Sequence, residues 1–266
     1  MPAAARVVEA IAPLRADPAR GAIMLDIDGT LAPIVRHADD AHVPEPTRAQ
    51  LIAVAERYAI VGCVSGRQAA IARRIVGIGS IAYVGNHGSE LLAPGGPGVE
   101  IDPEFAEHEP AVKAFAREAY TPELQRLRVR TEDKQAIAAY HWRGAPDEDA
   151  AEDAMRAVAE RAEAQGLFIH WGRKVLEIRP PVEMSKGRGV RRLLAGHKLA
   201  VALYVGDDNT DIDAFDGLRA LVEEGELGTA ICVGVHSEET PARLEQASDV
   251  LVDGPPGVRE LLTALL

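Results

Sequence analysis

With 266 residues, 47% of them hydrophobic and 26% charged, the chain is long enough to bury one large core or two modest ones and has the balance of an ordinary soluble globular protein. Its 29 basic residues against 41 acidic ones leave a net charge of −12, which excludes a nucleic-acid binder built on a broad basic face and leaves any anionic ligand to a local basic pocket. No run of roughly 18 apolar residues is present to span a membrane, and Arg6 and Glu9 break the first apolar stretch as an amphipathic helix does and a signal peptide does not. Cys63 and Cys232 each lie within apolar, strand-like runs, the setting of buried thiols in a reducing cytosol. A cytoplasmic protein with no nucleic-acid or membrane partner is expected, a monomer being favoured.

In chain order, the first strong element is an apolar strand over 22–25 that runs directly into Asp26 and Asp28 and then into Gly29, where the backbone must turn. Ligands of parallel α/β sheets bind beyond the carboxyl ends of strands, so both acids are expected in a crevice. Two carboxylates so close repel each other unless a cation or a proton intervenes, which makes a metal the first expectation. Taken alone, DIDGT reads equally as a strand ending in an Asp/Gly turn. A calcium loop would need oxygen ligands at alternate positions and a Glu at the twelfth, and residues 31–35, Leu-Ala-Pro-Ile-Val, offer none.

Residues 46–58 have helical spacing, and a second apolar strand over 59–64 ends in Ser65-Gly66. If the two strands are parallel neighbours, the Ser65 hydroxyl lies near the same sheet edge, where a small donor suits a phosphate oxygen; a plain Ser-Gly turn accounts for the pattern as well. A helix over 67–76 and a strand over 81–87 continue an alternation that predicts right-handed crossovers in a parallel sheet. After Gly88 the character changes. Two short strands within 89–102 flank the turn-forming PGGPG, a helix is expected over 104–120, and strands over 127–132 and 136–142 are separated by Asp133 and Lys134. A helix over 147–165, charged on one face and apolar on the other, precedes strands over 167–171 and 174–179. Hairpins mixed with helices indicate an inserted α+β unit with an antiparallel sheet, left through the paired prolines of RPPVEMSKG. The first pattern then returns: a helix over 186–195, a strand over 199–205 ending at Asp207 and Asp208, and a helix over 211–222 with Thr210 as its N-cap. Strands over 229–235 and 249–252 and a closing helix with Pro256 in its first turn complete the chain. The fold class is α/β, a Rossmann-like parallel-sheet core with helices on both faces plus an inserted α+β unit.

Taken together, DIDGT, SGR, Lys186 after a long insertion and GDDNTD resemble, in order and content, the haloacid dehalogenase-like phosphohydrolase superfamily over essentially the whole chain. The resemblance implies a catalytic core over 1–88 and 184–266, with a specificity cap over 89–183. It makes Asp26 the nucleophile that takes the phosphoryl group, splitting one displacement into two. Asp28 becomes the acid and then the base, and Lys186 offsets the charge the two reactants bring together. Mg²⁺ is implied on Asp26, the backbone carbonyl of Asp28 and Asp207, with Asp208 and Asp211 in support. Gly29, Thr30, Ser65, Gly66 and Lys186 would hold the phosphate oxygens.

The segments DIDGTLAPIV, VSGR, GNHGSE, EDK, YHWR, KVLEIRP with the following KG, and GDDNTDIDAF narrow the resemblance to the trehalose 6-phosphate phosphatase family. That family implies charged groups on the sugar hydroxyls, here Glu90, Lys134, Arg143, Lys174 and Glu177, with Arg67, Asn86 and His87 lining the cleft. Read without the family, an Arg or Glu on a strand is a solvated face or an ion pair. Two positions depart from the family pattern: Ile212 stands where Glu is common, and Trp142 where Tyr is often found. His87, His141 and His170 lack metal-ligand spacing. Two alternatives remain open: a phosphatase for another sugar phosphate, of the mannosyl-3-phosphoglycerate or sucrose 6-phosphate type, and a non-catalytic sugar-phosphate sensor.

Overall fold

A computed structural model of the chain describes residues 3–35, 40–238 and 240–266. They fall into two compact units, Met1–Glu100 together with Met184–Leu266, and Ile101–Glu183.

In the first unit, α1 (Ala3–Ala10) and α2 (Ala12–Ala16) lead into β1 (Gly21–Leu25), all five of whose residues are buried. A strand covered on both faces has to be apolar throughout. The alternation of its side chains sends Ile23 and Leu25 into one core and Ala22 and Met24 into the other. Helix α3 (Glu45–Arg57), β2 (Ile60–Val64), α4 (Ala69–Val76) and β3 (Ala82–Gly85) follow, with β1, β2 and β3 parallel neighbours. β4 (Glu90–Leu92) then turns back antiparallel on β3, pairing Gly85 with Glu90 and Tyr83 with Leu92, and β5 (Glu100–Ile101) closes that edge. The segment expected to open the inserted unit at 89 therefore begins as part of the first unit's sheet, and the second unit starts at Ile101.

The second unit comprises α5 (Pro103–Ala119), α6 (Pro122–Arg126), β6 (Arg130–Asp133), β7 (Ala138–His141), α7 (Glu148–Ala164), β8 (Phe168–Gly172) and β9 (Val175–Arg179). Its strands form an antiparallel sheet in the order β6-β7-β9-β8. Tyr140, Leu176 and Ile178 are buried with Val112 and Phe115 of α5 and Met155 and Ala162 of α7. Period-two alternation therefore turns Ala139, Glu177 and Arg179 to the opposite face.

The chain re-enters the first unit through α8 (Lys186–Leu194) and β10 (Leu199–Gly206), followed by α9 (Asn209–Glu223), β11 (Leu227–His236), α10 (Ala242–Ala247), β12 (Val250–Asp253) and α11 (Gly254–Leu265). The large sheet reads β12-β11-β10-β1-β2-β3-β4-β5. From β1 the chain steps outward through β2 and β3, and after the insertion it returns on the other side of β1 and steps outward through β11 and β12. The boundary between β1 and β10 is thus a topological switch point, where the flanking connections part and leave a crevice. Side chains of α1, α3, α4 and α11 fill one face of the sheet, and those of α8, α9 and α10 fill the other.

Three local features differ from the sequence-based expectation. The N-cap of α9 is Asp208, not Thr210: its carboxylate accepts from the Thr210 backbone N–H at 2.8 Å and from the Thr210 hydroxyl at 2.6 Å. Asp and Thr both cap well, and Asp wins here because Asp211 completes a reciprocal capping box three residues on. Helices α6 and α10 are too short to show a period in the sequence. No helix among the described residues is long and apolar enough to cross a membrane.

Candidate active site

Register builds the site. Leu25 pairs with Val205 of β10 and with Cys63 of β2, so the residues that follow these strands leave the sheet at one edge, on either side of the switch point. The Asp26 backbone N–H still bonds to the Val205 carbonyl at 2.9 Å, and that of Ser65 to the Val84 carbonyl at 2.9 Å. Gly29 has a φ of +87°, and a Cβ there would lie 2.0 Å from Asp207 Oδ2. Only glycine lets the Asp207 carboxylate close against the loop after β1. Thr30 Oγ1 donates to Asp207 Oδ1 at 3.2 Å.

Lys186 enters from the first turn of α8, where the Ser185 hydroxyl caps the helix by accepting from the Arg188 N–H at 3.1 Å. Its buried ammonium donates to Asp26 Oδ1 at 2.8 Å and to Asp211 Oδ1 at 2.6 Å, and stands 3.9 Å from Asp208. Asp26, Asp207 and Asp211 each offer a carboxylate oxygen within 4.8 Å of the others. Burial pushes the Asp26 and Asp211 carboxyls above the usual range, more strongly than Lys186 lowers them. Burial and then the neighbouring Asp211 and Asp208 push Asp207 to about 7. The Lys186 ammonium loses hydration on burial, yet Asp211, Asp26 and Asp208 outweigh that loss and raise its pKa. Asp208 moves the other way: Lys186 and the Thr210 hydrogen bonds overcome its desolvation and lower it. Three crowded acids against one ammonium leave a charge deficit that a divalent cation would fill, and an all-oxygen donor set suits Mg²⁺ or another hard cation. The residues present fit such an ion.

Asp28, two residues beyond Asp26, faces a different partner. Arg67 holds its carboxylate with both arms of the guanidinium, Nε to Oδ2 at 2.7 Å and a terminal nitrogen to Oδ1 at 2.8 Å. Its side chain lies outside the group of three acids. Ser65 is buried, and its Oγ accepts from the Arg67 N–H at 3.1 Å, so the SGR turn orients the hydroxyl and the guanidinium together.

Asn86 and His87 both adopt left-handed backbone, with φ of 45° and 50°, a conformation that costs a non-glycine residue about 1 kcal/mol or more. The SGR turn holds them there: the Asn86 N–H bonds to the Arg67 carbonyl at 2.8 Å and that of His87 to the Ser65 carbonyl at 3.2 Å. The His87 ring packs on Gly66, where a Cβ would come within 2.6 Å of Nε2. Glu90, expected on the sugar, is instead buried, with Oε2 accepting from the Ala69 N–H at 2.7 Å and Oε1 from Asn86 Nδ2 at 2.5 Å. Its charge serves the N-terminus of α4, where the backbone N–H groups have no partner inside the helix. Asn86, with its amide on Glu90, is likewise drawn into the framework.

The four expected sugar-binding residues of the second unit divide into two groups. On the face of the sheet turned away from the helices, Lys134 Nζ donates to Glu177 Oε1 at 2.9 Å, and Arg179 donates to Glu177 Oε2 through two nitrogens at 3.0 and 2.6 Å. Burial alone would raise the Glu177 carboxyl, but the two cations outweigh it and hold it at about 2. Lys174, at the β8–β9 turn with a φ of 65°, points instead to α7, 3.4 Å from Glu148 and 3.9 Å from Glu152. Arg143 donates to the Arg173 carbonyl at 3.2 Å. Lys174 and Arg143 therefore brace the turn against α7 and do not share the surface of Glu177.

Two participants were not singled out from the sequence. Arg179 carried a signal, since it stands two residues after Glu177 on the same strand and must share its face. Tyr204, whose hydroxyl donates to Asp211 Oδ1 at 2.7 Å, carried none, because an aromatic residue in the apolar run LAVALYVG reads as core.

A family model described as trehalose-phosphatase matches residues 24–248. A trehalose-phosphate phosphatase of Mycobacterium marinum is 32% identical over 249 residues, 85% of this chain and 60% of that protein. The chain thus spans about 60% of the length of the curated relatives it matches. Among solved structures, the C-terminal domain of the C. albicans trehalose-6-phosphate phosphatase aligns with a TM-score of 0.67 at 20% identity, covering 98% of this chain and 96% of that one. The trehalose-6-phosphate phosphatase of Aspergillus fumigatus, in its second crystal form, aligns with a TM-score of 0.62 at 21% identity, covering 98% and 97%. At such identities the likeness is one of fold.

Proposed function

This chain belongs to the trehalose-phosphatase family, and from that premise we propose that it hydrolyses trehalose 6-phosphate to trehalose and inorganic phosphate with the aid of Mg²⁺. The observation that carries the reading is the contact of Lys186 with Asp26 at 2.8 Å. It joins residues 160 positions apart in the chain, at the sheet edge where Asp207 also lies.

Asp26 is the nucleophile. A carboxylate oxygen attacks phosphorus while the bond from phosphorus to the sugar oxygen breaks, leaving an aspartyl phosphate. Lys186 works against the rise that burial imposes on the Asp26 carboxyl and offsets the charge gathered around the phosphoryl group. The Ser65 hydroxyl and the Thr30 backbone amide would hold the phosphoryl oxygens, whereas the Gly29 N–H is donated to the Ala32 carbonyl at 2.8 Å. Asp26, Asp207 and the Asp28 carbonyl would hold the metal, with Asp211 and Asp208 behind them, and when bound it supplies positive charge to the non-bridging oxygens. Asp28 gives the departing sugar oxygen its proton, then takes one from the water that attacks the aspartyl phosphate, releasing phosphate and restoring Asp26. Arg67 orients Asp28 for this exchange. While Asp28 carries the proton it is to give, the Arg67 grip on it is weaker, and donating that proton restores the carboxylate and the full two-armed ion pair; a guanidinium fork also fits a phosphoryl or sugar oxygen.

Selection of the sugar is proposed for the second unit, the expected cap, through the sheet face that carries Lys134, Glu177 and Arg179. Directed, charged donors and acceptors suit a polyhydroxyl ligand. The test is phosphate release, with Mg²⁺ present, from trehalose 6-phosphate, sucrose 6-phosphate and mannosyl-3-phosphoglycerate. Preference for the first by an order of magnitude or more in kcat/KM is expected. Equal or greater release from either of the others would move the substrate, and binding without release from any would make the protein a sensor. Asp28→Asn is expected to slow phosphoenzyme hydrolysis by about 100-fold or more, with labelled intermediate accumulating. Wild-type turnover would remove Asp28 from its role.

A further inference from the structure

The hydrogen bonds of Asp211 lead to a residue that the hydrolytic reading leaves unassigned. Asp211 is fully buried, and each of its oxygens takes two donors. Oδ2 accepts the backbone N–H groups of Asp207 at 2.9 Å and Asp208 at 3.0 Å. Oδ1 accepts Lys186 Nζ at 2.6 Å and the Tyr204 hydroxyl at 2.7 Å. A carboxylate has roughly four lone-pair sites, so the chain's own groups saturate this one. Asp211 is therefore a hub that joins β10, the Asp207 turn and Lys186 more than an open ligand.

Tyr204 is fully buried on β10 and cannot swing away. Its ring meets Phe215 of α9 edge to face, with centroids 5.9 Å apart, and lies in the core with Met24 and Cys232. Two donors on one oxygen must approach from separate lone-pair directions. With the hydroxyl fixed in one, Lys186 is confined to the other, which is the direction that also brings its ammonium to Asp26 Oδ1. We infer that Tyr204 is a positioning residue for phosphoryl transfer, its hydroxyl fixing the Asp211 carboxylate so that Lys186 is held on the nucleophile. The inference rests on the hydrolytic reading for its consequence and on these contacts alone for its geometry.

Tyr204→Phe tests it, since the ring and its packing stay and only the donor goes. On the best sugar phosphate, kcat is expected to fall about tenfold with KM within a factor of two, because the hydroxyl touches no substrate. The second readout is the ¹⁵N resonance of the Lys186 ammonium, tractable in a chain with five lysines of which this one is buried. Without the hydroxyl it should shift and broaden. Wild-type kcat together with an unchanged ammonium resonance would overturn the inference. If the variant did not fold, a slowly exchanging Tyr204 hydroxyl proton in the unaltered protein would support it, and rapid exchange of that proton would sink it. Absence of phosphate release from every ester by the unaltered protein would defeat the hydrolytic reading, while the ammonium resonance would still decide the geometry.

Discussion

Asp26 and Glu177 are both carboxylates shielded from water, and each touches a lysine, at 2.8 Å and 2.9 Å. They titrate in opposite directions. Asp26 must share Lys186 with Asp211 and has Asp207 beside it, so burial dominates and its pKa rises. Glu177 has Lys134 and Arg179 to itself, and its pKa falls to about 2. Asp26 is the more deeply buried of the two, and the local ratio of acids to cations pushes the pair further apart in the same direction. The first cluster, three acids to one ammonium, would be completed by an added cation. The second, one acid to two cations, is paired by the chain's own groups.

The largest test of that contrast is Asp26→Asn. Losing the nucleophile should abolish turnover by about four orders of magnitude or more. The folded state should survive, because the change also relieves repulsion among the acids. Residual turnover near the wild-type level, measured as phosphate release, would break the assignment. In the second unit, Glu177→Gln leaves Lys134 and Arg179 facing each other without their counter-charge. A loss of about 2 kcal/mol in denaturant unfolding at neutral pH is expected. The carboxyl is depressed in the folded state, so its contribution is fully present above the ordinary value of 4.5 and is lost as pH falls toward about 2. The difference between wild type and variant should therefore shrink over that window, and a constant difference would show that the ion pairs contribute nothing.

The smallest effect concerns Asp207. Burial and the neighbouring acids raise its pKa to about 7 in the folded protein, so the folded state holds a proton more tightly than the unfolded one. Stability from this group is greatest below the ordinary value of 3.8 and declines as pH climbs toward about 7. A divalent cation bound at Asp207 would take the place of that proton. The rise in Tm on adding Mg²⁺ should accordingly be larger at about pH 8 than at about pH 5. Equal increments at both would separate Asp207 from the metal.

Much of the first unit was legible from its residues. The apolar runs before Asp26, Ser65 and Asp207 could only be strands covered on both faces, and a strand that ends in an acid or a hydroxyl delivers it to the sheet edge. Less was legible between Gly88 and Glu183. Glu90 and Glu177 look alike in the sequence, each a Glu in a strand-like segment, yet one serves the N-terminus of α4 and the other faces two cations. Lys134 and Lys174 look alike too, and only the turn geometry at β8–β9 sends the second to α7.

The amino-acid sequence by itself determined the order of elements, the class of fold and the identity of the groups at the strand ends, because these follow from local periodicity and from which residues can sit in a buried strand. Only the tertiary structure decided who partners whom. It set Lys186 between Asp26 and Asp211, Arg67 on Asp28, and the Tyr204 hydroxyl on Asp211. Such pairings depend on register and helix placement between segments far apart in the chain, and no local pattern encodes a distance across that separation.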